Sequence, residues 1–143
     1  MEATKNTVRL KVIVYALPEI VFDAWVKPEL VQKWLFVSSE SELIETDLNV
    51  TPQGRFSLVE LNNKTNERMT HEGTYLEIER PSRLVFTLAD SQHSDEEVTV
   101  TVEIAPAEPG SELTLYQTGI SETTTEEAWK HMLEQMKLTV ENQ

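Results

Sequence analysis

The 143-residue chain has no cysteine. That excludes disulfides, thiolate nucleophiles and zinc sites built on sulfur, and it says nothing of compartment. No apolar run approaches the ~18 residues needed to span a bilayer. The N-terminal MEATKNTVRL moves from polar residues straight into a strand pattern, with no signal-peptide core. A cytoplasmic protein without membrane insertion is the expectation. Positive charge is scarce as well: 12 Lys and Arg stand against 25 Asp and Glu, for a net charge of −13. Such a balance repels phosphate backbones and anionic lipid, so nucleic acid is not an expected partner, and its plain role is solubility. The three histidines, His71, His93 and His131, have no second histidine or acid at a metal-binding spacing. The chain also lacks a nucleophile elbow, a phosphate-binding loop, internal repeats, low-complexity tracts and linkers. No metal and no cofactor are expected. Asn49-Val50-Thr51 and Asn63-Lys64-Thr65 match glycosylation acceptors by chance, since no secretion signal accompanies them.

What is present is alternation followed by one long helical pattern. Val8, Leu10, Val12, Val14 and Ala16 fall on one face of a strand, with Arg9 and Lys11 on the other. Pro18 opens a short helix with the stripe Ile20, Val21, Ala24 and Trp25. Pro28 opens a second with Leu30, Val31 and Trp34, the two together covering about sixteen residues. Ile44, Thr46, Leu48 and Val50 share one face of the next strand. Thr51-Pro52-Gln53-Gly54 then forms a β-turn into its hairpin partner, Arg55 to Leu61. Glu67 to Glu79 is a further strand in which Gly73 marks a bulge or bend. Leu84, Phe86 and Leu88 alternate in the next, residues 90–96 form a polar loop, and Val98, Val100, Val102 and Ile104 make the clearest strand. Pro109-Gly110 turns the chain into a last strand through Leu113 and Leu115, which Gly119 releases. The finale is helical: Trp129, Met132, Leu133, Met136 and Val140 recur at three- and four-residue steps. Thr123 with Glu126 predicts a capping-box start, and Thr124 to Glu141 would run about 27 Å. Strands joined by short connections favour an antiparallel sheet, on which one apolar-faced helix must bury its stripe.

Several stretches carry a resemblance. Leu17 to Trp25, Pro28 to Trp34, Gly54-Arg55-Phe56, Gly73 to Phe86 with its Arg80-Pro81-Ser82 turn, Gly110 to Tyr116, and Ala128 to Leu133 stand in a fixed order. In that order and spacing the chain resembles the START-like superfamily of helix-grip domains, shared with the birch-pollen allergen and polyketide cyclases. Within it, the chain is similar to the group related to the activator of the heat-shock-protein-ninety ATPase, from Val8 to about Val140. Gln53-Gly54 stands where the group often has two glycines, Leu35 where a second tryptophan often follows Trp34, and Ala128 where a glycine is common. The resemblance implies one α+β domain over 1–143. It would be a curved antiparallel sheet of about six or seven strands, with two short helices after the first strand and a long C-terminal helix. It also implies a cavity between sheet and long helix for a small hydrophobic molecule. The family's co-chaperone role belongs to a branch with an additional N-terminal domain, which is not expected here.

The function expected is a non-enzymatic intracellular binding protein for an aromatic or lipid-like ligand, acting as a monomer. Candidate cavity residues are Trp34, Phe36, Phe56, Phe86, Leu88, Val100, Leu115, Trp129, Met132, Leu133 and Met136, with His71, Tyr75 and Gln117 as orienting polar handles. Residues at these spacings also build plain cores. A second class is a chaperone-associated module of the stress response that docks a basic partner on its acidic surface, with salt-sensitive affinity. A third is a small cyclase- or hydrolase-like enzyme that uses an inward Glu45, Asp47, Glu60, Glu72 or His71. Arg55 and Arg83 either clamp a ligand carboxylate or lie on the surface.

Overall fold

The structure is a computed structural model that describes residues 7–91 and 95–142. In chain order it comprises β1 (Thr7–Val14), α1 (Pro18–Val26), α2 (Pro28–Val31), β2 (Ser41–Leu48), β3 (Arg55–Asn62), β4 (Arg68–Glu79), β5 (Arg83–Asp90), β6 (Val98–Ala107), β7 (Gly110–Thr118) and α3 (Glu126–Glu141). One seven-stranded sheet runs β1-β7-β6-β5-β4-β3-β2, every pairing antiparallel. β2 to β7 form a meander of short turns, the low-cost way to pair neighbours in sequence. β1 sits at the opposite edge from β2, so the chain between them must cross the sheet. It does so as α1 and α2, which lie over the concave face together with α3. The curved sheet thus receives three helices on one side, a helix-grip α+β arrangement.

The inner strand faces meet the helix stripes in one core. Trp34, Trp129 and Phe22 are its largest fully buried side chains. All five residues of the predicted α3 stripe are buried, and α3 at about 24 Å spans the sheet's width only in part. Its N-cap is Thr125, whose side chain accepts from the Ala128 amide, and not Thr123. The Thr123 hydroxyl instead donates to Asp90 on β5. Thr125 places no acid at the third helical position, so the helix starts with a single cap and no capping box.

Four further expectations are corrected. Ile20 is exposed and Phe22 takes its place in the α1 core stripe. α2 is a single turn that ends at Val31, so Trp34 lies in the turn after it. In β2 the ladder slips between Leu43 and Glu45, a β-bulge that turns Ile44 outward and buries Leu43. β4 also shifts register, between Tyr75 and Glu77 and not at Gly73.

Candidate functional site

Gly73 shapes the concave face by having no side chain. A Cβ there would lie 1.8 Å from the Thr87 carbonyl oxygen and 2.4 Å from Phe56 Cζ. β4 can therefore lie close to β5, and the Phe56 ring, one strand over, extends across it. Phe56 meets Tyr75 at 5.3 Å and Phe86 edge-on at 5.7 Å between ring centroids. From the helix side, Trp25 at the end of α1 is a hub. Its ring stands edge-on to Trp34 at 4.7 Å, stacks toward Trp129 at 6.1 Å, and faces Phe86 at 6.4 Å. Offset and T-shaped pairs of this kind add about 0.5–1.5 kcal/mol each beyond area burial.

Between these two groups of rings lies a small apolar cavity of about 20 Å³. That is room for about one water molecule. Trp34, Phe56, Tyr75, Phe86, Leu88 and Trp129, all expected from sequence, lie around it. Phe36, His71, Val100, Leu115, Gln117, Met132, Leu133 and Met136 are buried but do not line it. Trp25, Val31, Leu35, Leu48 and Leu58 do, and sequence reasoning did not assign them to the site. Trp25 was legible as an apolar helix residue. That it would be the hub depends on α1 crossing the sheet, which no local pattern encodes.

The polar atoms of the lining divide cleanly. Trp34 Nε1 donates to the Ala24 carbonyl at 2.9 Å. Trp129 Nε1 donates to Gln117 Oε1 at 2.7 Å, and Gln117 Nε2 donates to the Thr124 carbonyl at 3.0 Å. Gln117 is thus occupied in tying the start of α3 to β7. Trp25 Nε1 is buried with no partner, and the Tyr75 hydroxyl makes no hydrogen bond to the described residues. Burial pushes the Tyr75 phenol well above its ordinary value, so it stays protonated.

His71 forms a separate buried cluster. Its Nε2 lies 2.8 Å from Glu60 Oε1, and its ring stacks on Phe36 at 3.7 Å and 5°. Phe36 adopts φ +56°, and its amide points at Met132 Sδ, 3.3 Å away on α3. His71 Nδ1 has no partner. Glu60 on β3 faces inward with His71 because both sit on the concave face of adjacent strands. His131 is exposed, and His93 lies outside the described residues. Arg55 meets Thr74 and Glu72, and Arg83 meets Glu77 and Glu103, all on the outer face of the sheet and far from a clamp role. Among the described residues no group of three or more His, Cys, Asp or Glu could hold a metal, and no helix is long and apolar enough to cross a membrane.

The architecture has many relatives. Protein CV1439 from Chromobacterium violaceum superposes with a TM-score of 0.86 at 24% identity, over 96% of this chain and 98% of that one. The AHSA1-like protein from Aeromonas hydrophila gives 0.82 at 21%, over 95% and 92%. The protein of unknown function SA2116 from Staphylococcus aureus gives 0.76 at 19%, over 95% and 93%. At these identities the likeness is one of fold. No curated protein matches in sequence. The model of the family described as activator of Hsp90 ATPase homolog 1-like protein matches residues 15–141. The chain, helix-grip fold and sequence alike, belongs to that family.

Proposed function

We propose that this protein binds a small hydrophobic molecule between the concave face of the sheet and α1, α2 and α3. The observation that supports the reading is the buried Trp25 N–H, which points no hydrogen bond at the protein while its ring sits in an otherwise apolar, aromatic-lined cavity. A buried donor without a partner costs roughly 1–3 kcal/mol, and a ligand that accepts from it recovers that cost. The cavity holds only about 20 Å³, so the ligand displaces lining side chains. The cover that yields most easily is α2 and the turn after it. It is one helical turn with no side-chain cap, carrying Val31, Trp34 and Leu35 onto the cavity.

An amide- and indole-resolved NMR titration with planar aromatics, sterols and fatty acids tests this. Saturable shifts concentrated at the Trp25 and Trp129 indole N–H groups, Tyr75, Phe86 and residues 31–36 are the expected result. A folded protein that shows no saturable shift with any of the three classes overturns the proposal.

A further inference from the structure

The two edges of the sheet are not alike. β2 is broken by its bulge between Leu43 and Glu45, which spoils a straight ladder on its free side. β1 pairs with β7 alone, in an unbroken register over eight residues that include no proline or glycine. At one end of this edge, α3 already supplies what a further strand would. Lys137 Nζ donates to the Ile13 carbonyl at 2.8 Å, and Glu141 Oε2 accepts from the Tyr15 amide at 2.9 Å. In an antiparallel strand the N–H and C=O of one residue point to the same side, and the side alternates along the chain. The odd-numbered residues of β1 therefore turn their backbone off the edge. The outward N–H and C=O groups of Arg9 and Lys11 have no hydrogen-bond partner among the described residues.

A groove follows the same edge on the concave side. About 340 Å³ of it lies between β1 and α3, lined by Leu10, Lys11, Val12, Lys130, Leu133 and Glu134. A further 240 Å³ or so runs past Val8 to Glu126 at the start of α3. Leu10, Val12 and Leu133 give the groove an apolar floor. On the outer face Arg9 and Lys11 are both exposed, Arg9 over the Tyr116 ring at 5.6 Å and Lys11 3.9 Å from Glu112. These two cations select the occupant. A second copy of β1 laid antiparallel on the first would set Arg9 and Lys11 against the same residues of its partner, and like charges across a ladder are destabilising. Carboxylates in those places pair with them instead.

We infer that the β1 edge and its groove with α3 receive an extended segment of a partner protein, added as an eighth strand, in which apolar side chains alternate with carboxylates. Main-chain hydrogen bonds to Arg9 and Lys11 supply affinity, and the alternate side chains supply selectivity. The apolar ones enter the groove against Leu10, Val12 and Leu133, and the carboxylates lie beside Arg9 and Lys11. Lys137 and Glu141 close the edge at Ile13 and Tyr15, which fixes where the segment stops. The site is separate from the cavity under α1 and α2 and does not depend on a ligand there.

Two blocked peptides test it by NMR titration at about 0.15 M salt, where charges beyond ~8 Å are screened: acetyl-Thr-Val-Glu-Val-Glu-Val-Thr-amide and its twin with lysine for both glutamates. The net charge of −13 favours the lysine twin at long range, so a preference for glutamate reports the local site. The glutamate peptide binds about tenfold more tightly, with saturable shifts at the Arg9, Lys11 and Leu133 amides and slowed hydrogen exchange at Arg9 and Lys11. N-methylation of its two glutamates removes the main-chain donors that face β1 and abolishes binding. Arg9→Glu combined with Lys11→Glu reverses the preference and leaves the core untouched, since both side chains are exposed. Binding of neither peptide, equal binding of both, binding that survives N-methylation, or shifts confined to other elements overturns the proposal. So does sedimentation that shows the protein self-associating in a manner abolished by the double variant, because a second copy then occupies the edge.

Discussion

Gln117→Leu isolates the polar tie that holds the gripping helix to the sheet. Gln117 accepts from Trp129 Nε1 at 2.7 Å and donates to the Thr124 carbonyl at 3.0 Å. Trp129 and Thr124 are 0% and 1% exposed, so both bonds are shielded from bulk water. Leucine has nearly the volume of glutamine and would sit between the cross-strand neighbours Val8 and Val100, so the substitution removes the amide without opening a void. Two buried groups left unpaired cost roughly 1–3 kcal/mol each, and the better apolar fit returns about 1 kcal/mol. The net expectation is a loss of about 1–5 kcal/mol. That is a large share of the roughly 5–15 kcal/mol typical of a domain. Urea unfolding followed by tryptophan fluorescence measures it, with an unchanged slope confirming that stability alone has moved. Trp129→Phe in both backgrounds completes a cycle, and a coupling of about 1–2 kcal/mol is expected because the second change removes a donor that the first has orphaned. A single-variant loss below about 0.5 kcal/mol, or additivity within about 0.5 kcal/mol, refutes the reasoning.

Gly73→Ala forces a methyl against the Thr87 backbone carbonyl and the Phe56 ring. It lowers stability by roughly 2–4 kcal/mol in the same urea assay and, through Phe56, weakens any cavity ligand. Thr125→Ala removes the side-chain cap of α3 and costs about 1 kcal/mol, whereas Thr125→Asp retains most of it. Glu141→Gln changes the pH profile. Partial burial pushes the Glu141 carboxyl up, but hydrogen bonds from Lys137 Nζ at 2.5 Å and the Tyr15 amide at 2.9 Å, with the Lys137 charge, outweigh it and leave the group below its ordinary value. A lowered folded-state value means stability that is present above the unfolded carboxylate pKa and lost as the pH falls through the folded one. The variant is therefore less stable at neutral pH and shows a shallower decline in urea midpoint between about pH 6 and 3. An unchanged profile refutes the assignment.

Where a structural choice was local, the residues displayed it. The β1 and β6 alternations, the Thr51-Pro52-Gln53-Gly54 turn and the Trp129 to Val140 stripe all occupy their expected places, because side-chain periodicity follows from backbone geometry alone. The helix-grip order of elements followed, and with it the family. The α3 start was misplaced by two residues. Three consecutive threonines offer equivalent local caps, and Thr123 is drawn away by Asp90 from a different strand. Ile44 faced the wrong way because one inserted residue reverses a period-two pattern, and only the β3 partner reveals the insertion.

The elements, their order and the apolar character of their inner faces were legible in the residues, since each rests on neighbours within a few positions. Which rings meet at the cavity, how little space they leave and which indole N–H finds a partner depend on the assembled fold. Trp25 is joined to Trp34, Phe86 and Trp129 across α1, the sheet and α3, and Gln117 takes the Trp129 N–H while nothing takes that of Trp25. Such pairings depend on distances between segments far apart in the chain, and these exist only once the helices lie on the curved sheet.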